Sequence, residues 1–258
     1  MSKQYNEKTI AKKSLSIIIS VIVWLLIWEI LSRIISVEFI FPGVLKTAKA
    51  LWLLIFNSSF WKTVFYSMFR ILLGFMLGVF TGIIISLLCQ IFKSIRSFVS
   101  MGMTVIKSTP VASIIMVMWV IIGSAWLPAL IALLMVAPII WQNLTNGFDS
   151  VDKNLEEVCD IFEFSKLKRF RVLTLPALMK FFVPAVLTSM GLAWKSGIAA
   201  EIISYTKNSI GKSIFDAKNY FEGDVMFAWT ITVIVISLIF EHLIRYLLRR
   251  FSQNVSIT

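Results

Sequence analysis

Residues 60–90, from Phe60 to Gln90, form an apolar stretch longer than the roughly 20 residues that a helix needs to cross a lipid bilayer. A soluble domain is on average about 25% charged, whereas 15% of this 258-residue chain is charged and 58% is hydrophobic. A water-soluble fold of this length has too little interior to bury so much apolar surface, but lipid can solvate it. The sequence therefore predicts an all-α, polytopic membrane helix bundle that occupies residues 1–258 as a single domain.

The apolar segments predict about six membrane-spanning helices. Pro110 lies within the third of them. Residues 44–57 follow a break at Phe41-Pro42-Gly43 and are expected to form a short amphipathic helix at the membrane interface, and residues 204–224 are expected to form a polar loop. The predicted spans cover about residues 14–36, 60–90, 98–122, 125–142, 177–203 and 225–248.

Lysine and arginine residues are distributed unequally between the two sides of these spans. Fifteen flank the side that carries both termini and the polar segment 143–176, and six flank the other side. Because Lys and Arg concentrate in cytoplasmic loops, both termini and segment 143–176 are expected in the cytoplasm of a multi-pass plasma-membrane protein. The same distribution explains the net charge of +11 as an attribute of a protein in the lipid bilayer, without nucleic acid as a partner.

The end of this polar segment carries a pattern of its own. Ser165 can cap a short helix that ends before Pro176. Two such short helices, meeting at a bend, would present a surface that a partner's groove can grip, whereas a basic loop lying on lipid headgroups is an equal alternative from the residues alone. Four apolar residues at helical spacing share one face of the preceding helix: Leu155, Val158, Cys159 and Phe162.

The same segment resembles the coupling loop of ABC importer permeases. In that motif, Glu-x-Ala is followed after three residues by Gly-Ala-Ser and then by a helix that closes in Leu-Pro. Glu157 matches the acid, Ser165 the serine, and Leu175-Pro176 the closing pair. The resemblance implies that these residues contact or position an ATPase subunit.

Three positions depart from the motif. Cys159 stands at the alanine of Glu-x-Ala, and Glu163 and Phe164 stand where Gly-Ala is usual. The glycine normally makes the bend, and a glutamate with positive φ would be uncommon. With these positions included, the residues that the resemblance implies in ATPase coupling are Glu157, Cys159, Phe162, Glu163, Phe164, Ser165, Leu175 and Pro176.

Further segments resemble the nitrate-, sulfonate- and taurine-type permeases, so that the resemblance covers nearly the whole chain. It implies a fold like that of the type I ABC importer permeases, a second copy of the permease, cytoplasmic ABC ATPase subunits that carry ATP and Mg, and an extracytoplasmic solute-binding protein. It implies no cofactor on this chain, and it favours a small anion such as nitrate, a sulfonate, taurine or bicarbonate as the solute, with a vitamin precursor as the alternative. The segments are Ser67–Gly74, Ser108–Gly123, Gly191–Glu201 and Ile210–Ala217.

Three glycines in the second span, Gly74, Gly78 and Gly82, are spaced four residues apart. This spacing places them on one helix face, where small residues allow another helix to approach closely. The glycines therefore predict tight helix packing in the bundle, and they say nothing about the substrate.

Ionisable residues inside spans are costly and usually face protein or water. Lys195 lies near the middle of the fifth span, where it could attract an anion beside the translocation path. Alternatively, it could pair with Glu201, Glu29 or a backbone carbonyl. The candidate path residues are Ser108, Thr109, Ser189, Trp194, Lys195 and Ser196.

Gly211-Lys212-Ser213 resembles the end of a phosphate-binding loop, but Thr206 stands where the first glycine of that motif belongs and no strand is predicted before it. The sequence shows no catalytic constellation and no metal-ligand spacing. ATP hydrolysis is therefore expected on separate subunits, and this chain is expected to be no enzyme. A secondary transporter that works without ATP and a membrane enzyme are the rival interpretations.

Overall fold

The computed structural model describes residues 2–37 and 39–255, with side chains for residues 16, 18–37 and 39–248. Within these ranges the regular structure is helical, as predicted, and contains no strand. The side chains of the N-terminal lysines and of Arg249 and Arg250, which entered the charge comparison, lie outside the described residues. The helices are α1 (Ser2–Ile35), α2 (Val44–Ile55), α3 (Ser58–Ile91), α4 (Lys93–Ser108), α5 (Val111–Ile122), α6 (Leu127–Asp149), α7 (Lys153–Ile161), α8 (Lys166–Arg169), α9 (Leu175–Ile203), α10 (Ile210–Asn219) and α11 (Gly223–Val255).

Five stretches of helix in the described part of the chain are long and apolar enough to cross a membrane, and a sixth results if the bent pair of α4 and α5 counts as one span. This agrees with the prediction of about six spans. The five stretches are Ile18–Ile35, Ser58–Ile91, Leu127–Asp149, Lys166–Ile203 and Gly223–Leu248.

The third predicted span, 98–122, is not one straight helix. α4 and α5 meet at an angle of 103° across Thr109-Pro110. Proline disfavours the helical conformation in the residue before it, and Thr109 has an extended backbone with ψ of 131°. The predicted position of Pro110 within a continuous span is therefore corrected to a sharp break.

The predicted polar loop 204–224 contains a helix, α10. Its first residue, Ile210, is fully buried, and residues 204, 206 and 209 before it are buried serines and threonines. The polarity of this segment suggested a solvated loop, but the hydroxyls of these three residues donate to backbone carbonyls. Farther upstream, α6 continues to Asp149, several residues into the predicted 143–176 segment.

The helices group into two compact units, and the single domain stays a prediction. One unit comprises the chain up to Trp61 together with Ser213–Thr232. In this unit, Trp28 contacts both Phe41 and Phe227, with ring centroids 6.4 and 5.7 Å apart. The carboxylate of Glu29 accepts the backbone N–H of Val44 at 3.1 Å and so caps the start of α2.

The other unit comprises Lys62–Lys212 and the chain from Val233 onward. Here the three glycines of α3 lie against α6: Gly74 against the backbone of Ala129, Gly78 against Val136, and Gly82 against Ile140. A Cβ atom added to Gly78 or Gly82 would lie 2.7 Å from the Cβ of its neighbour, so a larger residue would force the helices apart. The core beside this contact is formed by Ile115, Leu127, Ile131, Met135 and Ala200.

Candidate functional site

Residues 153–176 form two short helices joined by a sharp bend. α7 begins at Asp152, whose carboxylate accepts the backbone N–H of Asn154 at 2.9 Å, and it ends at a bend centred on Glu163. Glu163 has a φ of +50°, the left-handed conformation that glycine adopts most readily. The bend therefore falls where the motif has its glycine, although the residue there is a glutamate.

Backbone hydrogen bonds show how a glutamate sustains this bend. The N–H of Glu163 bonds to the carbonyl of Asp160 at 3.1 Å, and the N–H of Phe164 bonds to the carbonyl of Cys159 at 2.9 Å. These two bonds form a Schellman motif, which ends a helix with a left-handed residue. The hydrogen bonds of the motif offset part of the cost, about 1–2 kcal/mol, of placing an L-residue in that conformation.

Arg169 ties the two helices together across the bend. Its guanidinium donates to the carboxylate of Asp160 at 2.7 Å and lies 3.3 Å from the carboxylate of Glu156, both on α7. Ser165 caps α8 as predicted, its hydroxyl accepting the backbone N–H of Lys168 at 3.4 Å. Each exposed ion pair contributes at most about 1 kcal/mol, but together with the cap they fix the angle between α7 and α8.

Three large apolar side chains project from this bend into the surroundings. Ile161, Phe162 and Leu167 are 76%, 69% and 69% exposed, respectively, and we call them the apolar tip. Cys159 is buried, whereas Glu157 and Glu163 are exposed. A contiguous apolar patch on a polar segment is typical of a surface that binds another protein or a membrane.

The other end of the segment is joined to the bundle without a loop. A π-helical turn, Phe170–Thr174, leads from α8 directly into α9, which begins with Leu175-Pro176. Phe170 and Leu175 line a small apolar cavity of about 220 Å³ together with residues of α3 and α6. Leu167 of the apolar tip therefore lies on continuous helix that leads to α9, whereas Ile161 and Phe162 lie before the bend and are tied to this helix through Arg169.

The predicted path residues on α9 do not lie together. Ser189 and Ser196 are buried and donate to carbonyls of their own helix, those of Val186 and Ala193. The indole N–H of Trp194 donates to the carbonyl of Val233 at 3.0 Å. These three side chains therefore contribute to helix packing.

Lys195 points in a different direction from these three residues and is exposed. Its ammonium group makes no hydrogen bond or ion pair to the residues that the structure describes. Glu201, one of its predicted partners, is bonded to Ser67 and Gly211 instead. The alternative in which Lys195 pairs with Glu201 is thus not supported by these contacts.

Ser108 and Thr109 lie at the break between α4 and α5. Both hydroxyls donate to the carbonyl of Val105, at 3.1 and 2.7 Å. Ser108 is exposed and Thr109 is half-buried. The structure therefore places these two residues at a bend, where their hydroxyls bond to a carbonyl that also accepts the backbone N–H of Thr109.

One polar cluster was missed by the sequence analysis. Glu201, at the end of α9, is fully buried and accepts hydrogen bonds from the hydroxyl of Ser67 and the backbone N–H of Gly211. Gly211 is thus part of a helix start packed against α9 and not part of a phosphate-binding loop. An acidic residue inside a span, followed ten residues later by a glycine, was the only signal available in the sequence.

Fold and site together define a class: a multi-pass helical membrane protein with a bent two-helix segment, α7 and α8, directly before α9. The sequence matches the family described as the binding-protein-dependent transport system inner membrane component over residues 74–253. The chain belongs to this family. It is therefore a multi-pass component of the inner membrane and a transport permease, not an enzyme, and membership of the family implies an ATPase and a binding protein as partners.

Relatives of known description narrow the type. The chain is 26% identical over 186 residues to the putative aliphatic sulfonates transport permease protein SsuC of Bacillus subtilis, which covers 71% of this chain and 67% of the relative. It is 23% identical over 196 residues to the taurine transport system permease protein TauC of Escherichia coli, covering 75% and 70%. The resemblance to sulfonate- and taurine-type ABC importer permeases is thereby confirmed.

A solved structure supports the fold. The chain resembles a subunit in the crystal structure of a bacterial ABC transporter involved in the import of the acidic polysaccharide alginate, with a TM-score of 0.62 and 14% identity. The similarity covers 96% of this chain and 99% of that subunit. The predicted type I importer permease-like helix bundle is therefore confirmed as the fold.

Proposed function

We propose that this chain forms the path by which a small anion is imported, and that residues 153–176 couple this path to cytoplasmic ATPase subunits. The apolar tip carries the proposal. Its three side chains, Ile161, Phe162 and Leu167, are more than two-thirds exposed on a segment that Arg169 holds rigid. A buried apolar anchor surrounded by polar residues is how a few side chains dominate a protein interface.

Rigidity of this segment supports a mechanical role. Because α8 continues through the π-helical turn into α9 and Arg169 of α8 is paired with Asp160 and Glu156 of α7, a displacement of the apolar tip would be transmitted to α9. Closure of the ATPase subunits on ATP and Mg would then move α9 and shift the equilibrium between two states of the path, open to one side or to the other. ATP hydrolysis takes place on those subunits.

The orientation follows from the charge distribution. Both termini and the coupling segment lie in the cytoplasm, where Lys and Arg concentrate, and the connection that contains α10 lies on the extracytoplasmic side with the solute-binding protein. Lys166, Lys168, Arg169 and Arg171 beside the bend accord with this arrangement.

The path is proposed to run along the exposed face of α9 that carries Lys195. An ammonium group in mid-span, with no carboxylate partner in the described part of the chain, attracts an anion and repels a cation. The relatives named for sulfonates and taurine transport solutes that carry a sulfonate group, and nitrate and bicarbonate share its negative charge. We therefore favour a small anion over a vitamin precursor.

A second copy of the permease completes the path. α5 exposes apolar side chains, with Val120 88% and Ile121 66% exposed near the end of the helix. A helix of 12 residues is too short to span a bilayer alone. We propose that the second copy packs on this face and closes the path laterally.

A secondary transporter is the rival proposal, and the apolar tip distinguishes the two. A transporter driven by an ion gradient has no need for a rigid apolar surface outside its spans. The two proposals therefore differ in one measurable property, the binding of an ATPase subunit through residues 161–167.

Copurification tests the proposal. The chain is expressed with its cognate ATPase, and the ATPase retained by the purified chain is measured for the wild type and for Phe162→Ala, Glu157→Ala and Phe221→Ala. Phe162→Ala should weaken ATPase binding by about 2–4 kcal/mol if the ring is buried in the interface, and Glu157→Ala should weaken it in the same direction. Phe221→Ala, a change at an aromatic residue of equal exposure (70% against 69%), should not. Full binding by both Phe162→Ala and Glu157→Ala would contradict the coupling role.

A further inference from the structure

A carboxyl group buried inside the helix bundle holds the start of another helix. Glu201 lies two residues before the end of α9 and is fully buried. One of its oxygens, Oε2, accepts the hydroxyl of Ser67 at 2.9 Å and the backbone N–H of Gly211 at 3.1 Å. Ionisable groups in membrane spans are expensive and serve a specific purpose when they occur, so this contact calls for a role.

Ser67 extends the contact to a second backbone group. Its hydroxyl donates to Glu201 and accepts the N–H of Ile210 at 2.8 Å. Most helices cap their first N–H groups with a residue of their own. Here two successive N–H groups of α10 are accepted by residues of α3 and α9, and Ser67 is more than 140 residues away in sequence. The position of this helix start is therefore set by both of those helices.

Shape reinforces these hydrogen bonds. A Cβ atom added to Gly211 would lie 2.6 Å from the backbone nitrogen of Ile202 and overlap the Cβ of Glu201. The backbone of α10 therefore rests directly on the backbone of α9. Only a glycine permits this approach, since any side chain would separate the two helices.

The residues before α10 are fixed as well. The guanidinium of Arg70 on α3 donates to the carbonyls of Lys207 and Asn208, both at 3.2 Å. The hydroxyl of Thr206 donates to the carbonyl of Ser124, between α5 and α6, at 3.0 Å. Segment 204–212 is thus held from three directions, and we call Ser67, Glu201 and Gly211 the clamp.

We propose that the clamp fixes segment 204–212 to α9 so that both move as one body during transport, with Glu201 and Ser67 as positioning residues. This inference rests on the proposed function. α9 has 29 residues, about 43 Å at 1.5 Å per residue, with the coupling segment at its start and the clamp at its end. A shift of the coupling segment is thereby carried to the opposite face, where a loaded binding protein would sense it and could act on it in return.

The first test measures the clamp itself and needs no partner. Ile210 is fully buried, and Ile210→Cys, in a Cys89→Ala and Cys159→Ala background, reports whether the segment lifts away from α9. In detergent-purified protein, Ser67→Ala and Glu201→Ala should raise the rate at which a maleimide labels residue 210 by roughly fivefold or more, because lost hydrogen bonds favour local opening. Glu201→Gln keeps an oxygen acceptor and should label slowly.

Ser86→Ala is the matched control. Ser86 is also a buried serine on α3, and its hydroxyl has no hydrogen-bond partner among the described residues, so its removal should leave labelling unchanged. Slow labelling in both Ser67→Ala and Glu201→Ala would overturn the clamp. If Glu201→Gln labelled as fast as Glu201→Ala, the charge and not the hydrogen bonds would hold the segment, and the clamp as described would be wrong.

The second test measures transmission in the complete transporter. In the complex with ATPase and loaded binding protein, Ser67→Ala should retain basal ATP hydrolysis but lose most of its stimulation by the binding protein, whereas Ser86→Ala and Glu201→Gln should keep both. Fast labelling at residue 210 with normal stimulation would show that the clamp only stabilises the fold, which overturns its role in transport. If the wild type bound no ATPase, the proposed function would fail, and the labelling result would still decide the clamp.

Discussion

Lys195 is the residue on which the choice of solute depends most. Lys195→Met should leave the folded yield unchanged, because the lysine side chain is exposed and its loss leaves no buried carboxylate without a partner. The KM for transport of an anion should rise about five- to tenfold, because an interaction of roughly 1 kcal/mol is lost. Lys195→Arg, which keeps the charge, should retain transport. Uptake assays and size-exclusion profiles measure the two quantities, and a fall in yield without a change in KM would assign Lys195 to structure.

Glu163 adopts a left-handed backbone conformation that is strained for any residue other than glycine. Replacing it with glycine should leave the bend intact and change the stability of residues 153–176 by no more than about 1 kcal/mol, since relief of the left-handed strain is partly offset by the greater freedom of glycine. Glu163→Val should destabilise the bend by about 1–2 kcal/mol, because a β-branched residue is strained at positive φ. Limited trypsin cleavage at Lys166 and Lys168 measures this local stability. Equal cleavage of both variants would contradict the bend assigned to residue 163.

Local sequence patterns predicted the bend and the helix cap of the site, but they grouped residues of α9 that do not lie together. The position of the bend and the cap at Ser165 follow from short-range rules that involve only neighbouring residues. Ser189, Trp194 and Lys195 were grouped because they are close in sequence, but successive helix residues point 100° apart. Lys195 therefore faces away from Ser189 and Ser196, which lie a whole number of turns apart and share a buried face.

At the scale of the helices, the glycine face of α3 makes the sharpest prediction. Gly74→Ala would press a methyl group against the backbone of Ala129, whose Cα lies 2.8 Å from the added atom. α3 and α6 would have to separate, at a cost of about 1–3 kcal/mol. The midpoint of thermal unfolding in detergent should fall accordingly.

Gly102→Ala is the control for this change. Gly102 is also a helical glycine, on α4, but a Cβ atom there meets nothing within 4 Å. Because alanine favours a helix over glycine by about 0.5–1 kcal/mol, this variant should be as stable as the wild type or slightly more so. If both variants unfolded at the same temperature, close packing of α3 on α6 would not be a source of stability.

The length of the apolar segments identified the spans. Elements that depend on long-range contacts could not be predicted from the sequence. α3, α6 and α11 are apolar over enough residues to be recognised from the sequence. α10 could not be recognised in this way, because the polar residues around its start are typical of a loop. Its position depends on Ser67 and Glu201, which accept its first N–H groups. Pro110 was visible in the sequence, but it was placed inside the span 98–122, and the break of 103° between α4 and α5 was not predicted.

At the scale of the whole molecule, the family and the fold make this chain one part of a larger transporter. Its described residues hold no group of His, Cys, Asp and Glu side chains that could bind a metal, and Gly211 is occupied in helix packing. We propose that the energy for transport comes from the ATPase subunits, and that selection of the solute is shared between the binding protein and the face of α9 that carries Lys195. The sequence could reveal this division of labour only through the resemblance of residues 153–176 to a coupling loop.

Uptake into proteoliposomes tests this central claim most directly. Vesicles containing the chain with its ATPase, supplied with the binding protein loaded with its solute, should accumulate that solute only when ATP and Mg are present on the ATPase side. Vesicles with the chain alone should show neither uptake nor ATP hydrolysis. Accumulation by the chain alone, driven by an ion gradient without ATP, would contradict the account and establish a secondary transporter.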